Sequence, residues 1–110
     1  MKIGILGGSF DPPHIGHYLM IHQILELRPD IDKILLVPAF KHQWKESFAS
    51  EKDRIAMLDF FRNEKTEISD IELKRKGISY TIDTLKEVKD QTRAEIYFII
   101  GSDILFEFDP

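Results

Sequence analysis

The sequence predicts an α/β protein in one domain, residues 1–110, built on an open, mostly parallel sheet with helices on both faces. Two observations carry that expectation. Short continuous apolar runs ending at glycine or proline read as strands buried on both faces. Between them lie segments whose apolar residues recur at helical spacing, so strand and helix alternate along the chain. A chain of 110 residues has material for one core and not for two.

The elements follow in order. Residues 2–6 form the first strand, stopped by Gly7-Gly8. Ile15, Leu19, Ile24 and Leu27 then recur at helical spacing, predicting a first helix with a wide buried face that Pro29 brings to an end. Ile34-Leu35-Leu36-Val37 is the second strand, halted by Pro38. Residues 39–49 mix Lys41, His42, Trp44, Lys45 and Phe48 without a period and read as a loop exposing basic and aromatic groups. Ser50-Glu51-Lys52-Asp53 matches a capping box, opening a second helix with Ile55, Leu58 and Phe61 turned inward. A weaker strand at residues 66–68, continuing toward Leu73, leads to a turn at Lys76-Gly77. From Thr81, the positions Ile82, Leu85 and Val88 predict a third helix, and Ile96-Tyr97-Phe98-Ile99-Ile100 a buried strand ended by Gly101. Ile104-Leu105-Phe106-Glu107-Phe108 reads as the start of a further helix, so the chain reads as one cut short.

Composition excludes several function classes. The 19 acidic and 15 basic residues leave a net charge of −4, which argues against a broad grip on a nucleic-acid backbone. There is no cysteine, so disulfides and thiolate metal sites are excluded. The apolar start Met1-Lys2-Ile3-Gly4-Ile5-Leu6 is too short for a signal segment or a membrane span, and a cytoplasmic location is the expectation. Homo-oligomerisation stays open.

The opening loop, residues 7–17, carries the chemistry. In an open parallel sheet, ligands collect beyond the carboxyl ends of strands where strand order reverses. Gly7 and Gly8 allow close approach of a ligand to the backbone, while Pro12 and Pro13 restrict the loop and lower the cost of ordering it on binding. The first helix begins near His14, so its unpaired amides and positive dipole end can face a phosphate, with His14 and His17 adding donors. Three residues apart, the two histidines lie on one side of a helical turn. The loop is neither the Gly-x-x-x-x-Gly-Lys-Ser/Thr of a P-loop nor the Gly-x-Gly-x-x-Gly of a dinucleotide fold. A zinc-protease reading fails as well, because that pattern needs histidines four apart around a glutamate.

Gly8-Ser9-Phe10-Asp11-Pro12-Pro13-His14-Ile15-Gly16-His17 resembles the signature of the HxGH nucleotidyltransferases, and among them the bacterial nicotinate-nucleotide adenylyltransferase family. Ser79-Tyr80-Thr81-Ile82-Asp83-Thr84-Leu85 is similar to that family's SYTxDTL segment, and Phe98-Ile99-Ile100-Gly101-Ser102-Asp103 to its FIIGxD segment, so the resemblance spans nearly the whole chain. It implies a Rossmann-like nucleotidyltransferase fold that lacks its C-terminal part here. It also implies adenylyl transfer from ATP to nicotinate mononucleotide, giving nicotinate adenine dinucleotide and pyrophosphate in NAD biosynthesis, with Mg2+ assisting. By the same resemblance His14 and His17 are catalytic, contacting the ATP phosphates. Gly8, Ser9, Phe10, Gly16, Gly101 and Asp103 complete the ATP site, and Lys41, Thr81, Asp83 and Thr84 hold the acceptor.

The chain departs from the family at two places. The usual Pro-His-Lys appears only as Phe40-Lys41-His42, and no segment matches the family's ISSTxxR-like ATP-phosphate motif. Plainer readings stand beside the sharp ones. Residues 81–84 serve equally as a helix cap, Asp103 as the start of a final helix, and Arg54 as a surface or structural cation. Phe40, Trp44 and Phe48 suit packing or a lid. A sister enzyme of phosphopantetheine adenylyltransferase or cytidylyltransferase type, and a noncatalytic nucleotide-binding module, are the alternative functions.

Overall fold

Strand β1 (Lys2–Gly8) runs through the centre of a five-stranded sheet whose order is β3-β2-β1-β4-β5. The computed structural model describes residues 1–8, 10, 15–39, 50–60, 62–75, 81–100 and 104–108. From β1 the chain passes through α1 (Ile15–Leu27) to β2 (Lys33–Pro38), then through α2 (Glu51–Asp59) to β3 (Thr66–Ile68). It returns through α3 (Ile71–Arg75) and α4 (Thr81–Thr92) to β4 (Glu95–Ile100) on the other side of β1, and ends in β5 (Ile104–Phe108). Strands β1 to β4 pair in parallel, and β5 adds antiparallel to β4 at the edge.

The pleat divides the core into two layers, because successive strand residues face opposite sides. Leu6 of β1, Ile34 and Leu36 of β2, and Tyr97 and Ile99 of β4 meet Ile21 and Ile24 of α1 and Leu58 of α2. On the opposite face Ile3 and Ile5, Leu35 and Val37, and Ile96 meet Ile71 of α3 and Leu85 and Val88 of α4. The first two helices cover one face and the last two the other, which is the predicted α/β architecture. Burying both faces is what makes the strands read as continuous apolar runs. Gly4 is a glycine for packing reasons, since a Cβ there would sit 3.1 Å from Ile99 Cδ1.

Several boundaries differ from the sequence expectation. In α1 the buried stripe is narrower than predicted: Leu19 and Leu27 are exposed while Ile21 and Ile24 are buried, since Leu19 falls on the side of the helix away from Ile21. Helix α2 opens as expected, with Ser50 accepting a hydrogen bond from the Asp53 amide at 3.1 Å. Its inward places belong to Leu58 and to Arg54, which is 1% exposed, while Ile55 is only half-buried and Phe61 lies outside the described residues. The surface reading of Arg54 is thus replaced by the structural one: its Nη1 donates to the Ala39 carbonyl at 2.8 Å. The predicted continuation of the third strand to Leu73 is instead helix α3. Burial of both Ile71 and Leu73 mimics strand alternation, but the Lys74 amide donates to the Asp70 carbonyl and closes a helical turn. In α4 Ile82 is exposed, because the inward stripe runs through Thr84, Leu85 and Val88.

The largest correction is at the end of the chain, where residues 104–108 form β5 and not a helix. Residues Ile96 to Ile100 on the outer edge of β4 need backbone partners, and β5 supplies them in register from Ile96↔Phe108 to Ile100↔Ile104. Asp103 therefore precedes a strand, so its plainer reading as a helix start falls.

Candidate active site

Strand order reverses beside β1: the chain leaves toward β2 and β3, then comes back to β4 on the other flank. The carboxyl ends of β1 and β4 thus frame the switch point at which open parallel sheets bind ligands. A cavity of about 260 Å³ opens there. Ile5, Val37, Leu85 and Phe98 form its apolar lining, Gly7 and Gly8 its edge, and Thr84 and Glu72 its polar wall.

Gly7 keeps this space open. A Cβ added at Gly7 would meet nothing nearer than the Val37 carbonyl oxygen at 3.9 Å, so the missing side chain leaves room in the cavity and relieves no clash. The Gly8 carbonyl accepts from the Ala39 amide at 2.8 Å, and the Ala39 carbonyl in turn accepts from buried Arg54. Arg54 therefore ties α2 to the ends of β1 and β2 and fixes the edge of the cavity.

Beyond Gly8 the chain turns through Phe10, whose φ of 48° is the left-handed conformation that a non-glycine residue adopts at a cost of about 1–3 kcal/mol. That conformation sends the Phe10 ring into the α1-side core, where it is 2% exposed. Phe10, expected to line the ATP site, thus has its side chain in the core. Its ring contacts His17 edge-on, with centroids 4.9 Å apart at 63°. His17 stands on the first turn of α1 with Gly16 before it, and the packed Phe10 ring fixes that turn against the end of β1. His22, given no role in the sequence reading, is exposed with its ring beside Tyr18.

The structure brings Gly8 of the opening loop and Thr84 of the Ser79-to-Leu85 segment to one cavity, although 76 positions separate them. Asp83 is exposed and outside the cavity lining. Thr81 opens α4. Ser9, His14, Lys41, Gly101 and Asp103 lie outside the described residues, as does the loop with Phe40, Trp44 and Phe48. Sequence reasoning missed Glu72 and Arg75. Thr84, 2% exposed, donates from Oγ1 to Glu72 Oε2 at 2.8 Å and accepts from Arg75 Nη1 at 3.0 Å. The signal for them was a pair of opposite charges three apart on what reads as an apolar alternation, facing a threonine in the segment singled out for binding.

Among the described residues no helix is long and apolar enough to cross a membrane, and no group of three or more His, Asp or Glu is arranged to hold a metal ion.

The switch-point cavity, its glycine edge and the histidine on the first turn of α1 define an open α/β protein with a candidate ligand site at the switch point of its sheet. The profile of the cytidylyltransferase-like family matches residues 5–110, and the chain belongs to that family. It is 42% identical over 113 residues to a probable nicotinate-nucleotide adenylyltransferase of Aliarcobacter butzleri, covering 99% of this chain and 62% of the relative. It is 43% identical over 109 residues to a probable nicotinate-nucleotide adenylyltransferase of Bacillus licheniformis, covering 94% and 57%. Among solved structures, the Plasmodium falciparum nicotinic acid mononucleotide adenylyltransferase complexed with NaAD superposes with a TM-score of 0.77 at 27% identity, covering 93% of this chain and 52% of that one. The chain thus spans between half and two-thirds of the length of these relatives.

Proposed function

We propose that this chain is the nucleotide-binding and catalytic part of an adenylyltransferase that joins ATP to nicotinate mononucleotide. The observation that carries this reading is the meeting of Gly7-Gly8 and Thr84 at one cavity on the switch point, two segments of independent sequence resemblance. The names of the relatives and of the NaAD-bound neighbour support the same substrates.

In this reading a 5′-phosphate oxygen of nicotinate mononucleotide attacks the α-phosphorus of ATP. The bond from that phosphorus to the β-bridging oxygen breaks, and pyrophosphate leaves with the electron pair. Two anions must be brought together and charge must be neutralised as it moves to the leaving group, so positioning and electrostatics carry the catalysis. His14 and His17 supply donors to the ATP phosphates from the start of α1, where the helix dipole adds to them. Gly8, Ser9, Gly16, Gly101 and Asp103 shape the ATP site, and Phe10 contributes by supporting His17. Residues 81–84 offer the amides of the first turn of α4 to the nicotinate carboxylate, and Lys41 is a candidate phosphate-binding cation. Mg2+ supplies charge neutralisation on the phosphates when bound. Among the described residues no group of three or more His, Asp or Glu is arranged to hold it.

Pyrophosphate release by the protein at its full encoded length, with ATP or CTP and each candidate acceptor, tests the proposal. Turnover with ATP and nicotinate mononucleotide is the expected outcome. Preference for CTP or for phosphopantetheine, or nucleotide binding without any product, would reject it in favour of a sister enzyme or a noncatalytic module.

A further inference from the structure

Helices α3 and α4 are joined across the cavity wall by one polar network. Thr84 Oγ1 holds Glu72 Oε2 at 2.8 Å and Arg75 Nη1 at 3.0 Å, and Arg75 Nη2 reaches Glu87 Oε1 at 3.4 Å. Thr84 is the buried centre, so the two charges of α3 that meet at its hydroxyl lie within about 6 Å of each other. Glu72 and Thr84 line the 260 Å³ cavity, while Arg75 and Glu87 line a separate cavity of about 320 Å³. The network is the partition between the two.

This arrangement has two chemical consequences. A hydroxyl carries one proton, and that of Thr84 is committed to Glu72, so Thr84 anchors the wall and does not donate to a ligand. The cavity also presents a carboxylate, Glu72, to its contents, and a bare carboxylate there would repel an acidic acceptor. The Arg75 guanidinium, brought to the same hydroxyl from behind, offsets that charge.

We infer that Glu72 and Arg75 are positioning and specificity-determining residues: held beside Glu72 by Thr84, Arg75 offsets its charge and so removes the repulsion that would turn an acid away in favour of its neutral amide counterpart. The inference rests on the proposed function and deepens it. It gives α3 a role in selecting the acceptor and none in binding ATP.

The test is the ratio of kcat/KM for nicotinate mononucleotide to that for nicotinamide mononucleotide, measured on the full-length protein alongside the KM for ATP. Arg75→Met exposes the cavity to an uncompensated Glu72, and the ratio falls on the order of tenfold while the KM for ATP stays within about twofold. Arg75→Lys keeps the charge and holds the ratio near wild type, and Glu72→Gln placed on Arg75→Met restores it. Should Arg75→Met fail to fold, Arg75→Gln carries the same expected fall, since it keeps a polar side chain beside Thr84 and removes the charge that offsets Glu72. Parallel losses for both acceptors, an unchanged ratio, or a failure of Glu72→Gln to restore it would overturn the inference. Absence of transfer to either acceptor by the unsubstituted protein would instead defeat the proposed function itself.

Discussion

Gly7 and Phe10 show how single residues set the site. The opening loop stood out in the sequence because glycines, prolines and spaced histidines together have few structural explanations. Their individual tasks were less visible. Phe10 reads as a ligand-facing aromatic until its left-handed backbone turns the ring into the core, and a positive φ at a phenylalanine leaves no trace in composition or spacing. Gly7 reads as permitting close approach, and the geometry is compatible with that reading: its φ is not in the left-handed region and its missing Cβ leaves open space. Gly7→Ala is therefore expected to leave the melting temperature unchanged or slightly raised, because alanine restricts the unfolded chain. The same methyl intrudes on the cavity, so ligand affinity falls by about tenfold or more. Calorimetric titration with nicotinate adenine dinucleotide beside a thermal melt checks both halves, and a fall in melting temperature with unchanged affinity would show that Gly7 is structural.

At the scale of elements, the long periodic segments were legible and the short ones were not. Helices α1, α2 and α4 and strands β1, β2 and β4 follow from periodicity and from stops at Gly and Pro. Helix α3 was hidden because five residues are too few to separate a helical stripe from a strand alternation, and β5 because a short run of apolar residues fits either element. What decides β5 is a partner far from the information in its own sequence, the open edge of β4. The end of the sheet opposite the cavity is held differently. Asp30, just after α1, accepts from Arg28 at 2.9 Å and pairs with Lys2 of β1 at 3.0 Å. Arg28 also stacks over the Tyr97 ring of β4. The Arg28 guanidinium, with Lys2 beside it, holds the Asp30 carboxyl well below the ordinary carboxylate range. A depressed folded pKa contributes stability that is fully present above the ordinary carboxyl value near 3.8 and is lost as pH falls toward the folded value. Urea unfolding of the protein and of Asp30→Asn should therefore differ modestly at about pH 6 and the difference should narrow progressively below about pH 4, shrinking also in high salt. A difference that persists unchanged at low pH would refute the ion-pair account.

For the whole molecule, the fold class and its two-faced layering were legible because β1, β2 and β4 are continuous apolar runs and the connections between the parallel strands pass through helices. The strand order β3-β2-β1-β4-β5 was not written in any local pattern. It is the order that turns two separated segments into one site, by returning the chain past β1 so that Thr84 comes to lie beside Gly7 and Gly8. Of the candidate site, the two segments that meet at the cavity could be read in advance. The partition built by Glu72, Thr84 and Arg75 could not, since it joins charges on one helix to a hydroxyl on another. Adenylyl transfer to nicotinate mononucleotide is proposed to take place at this switch point. A crystal structure of the full-length protein with nicotinate adenine dinucleotide tests it most directly. The dinucleotide is expected to lie across Gly7 and Gly8, its nicotinate half against Thr84 and Phe98 and its phosphates toward His17. Density for the dinucleotide in the separate cavity beside Lys74 and Gln91, with the switch-point cavity empty, would contradict it.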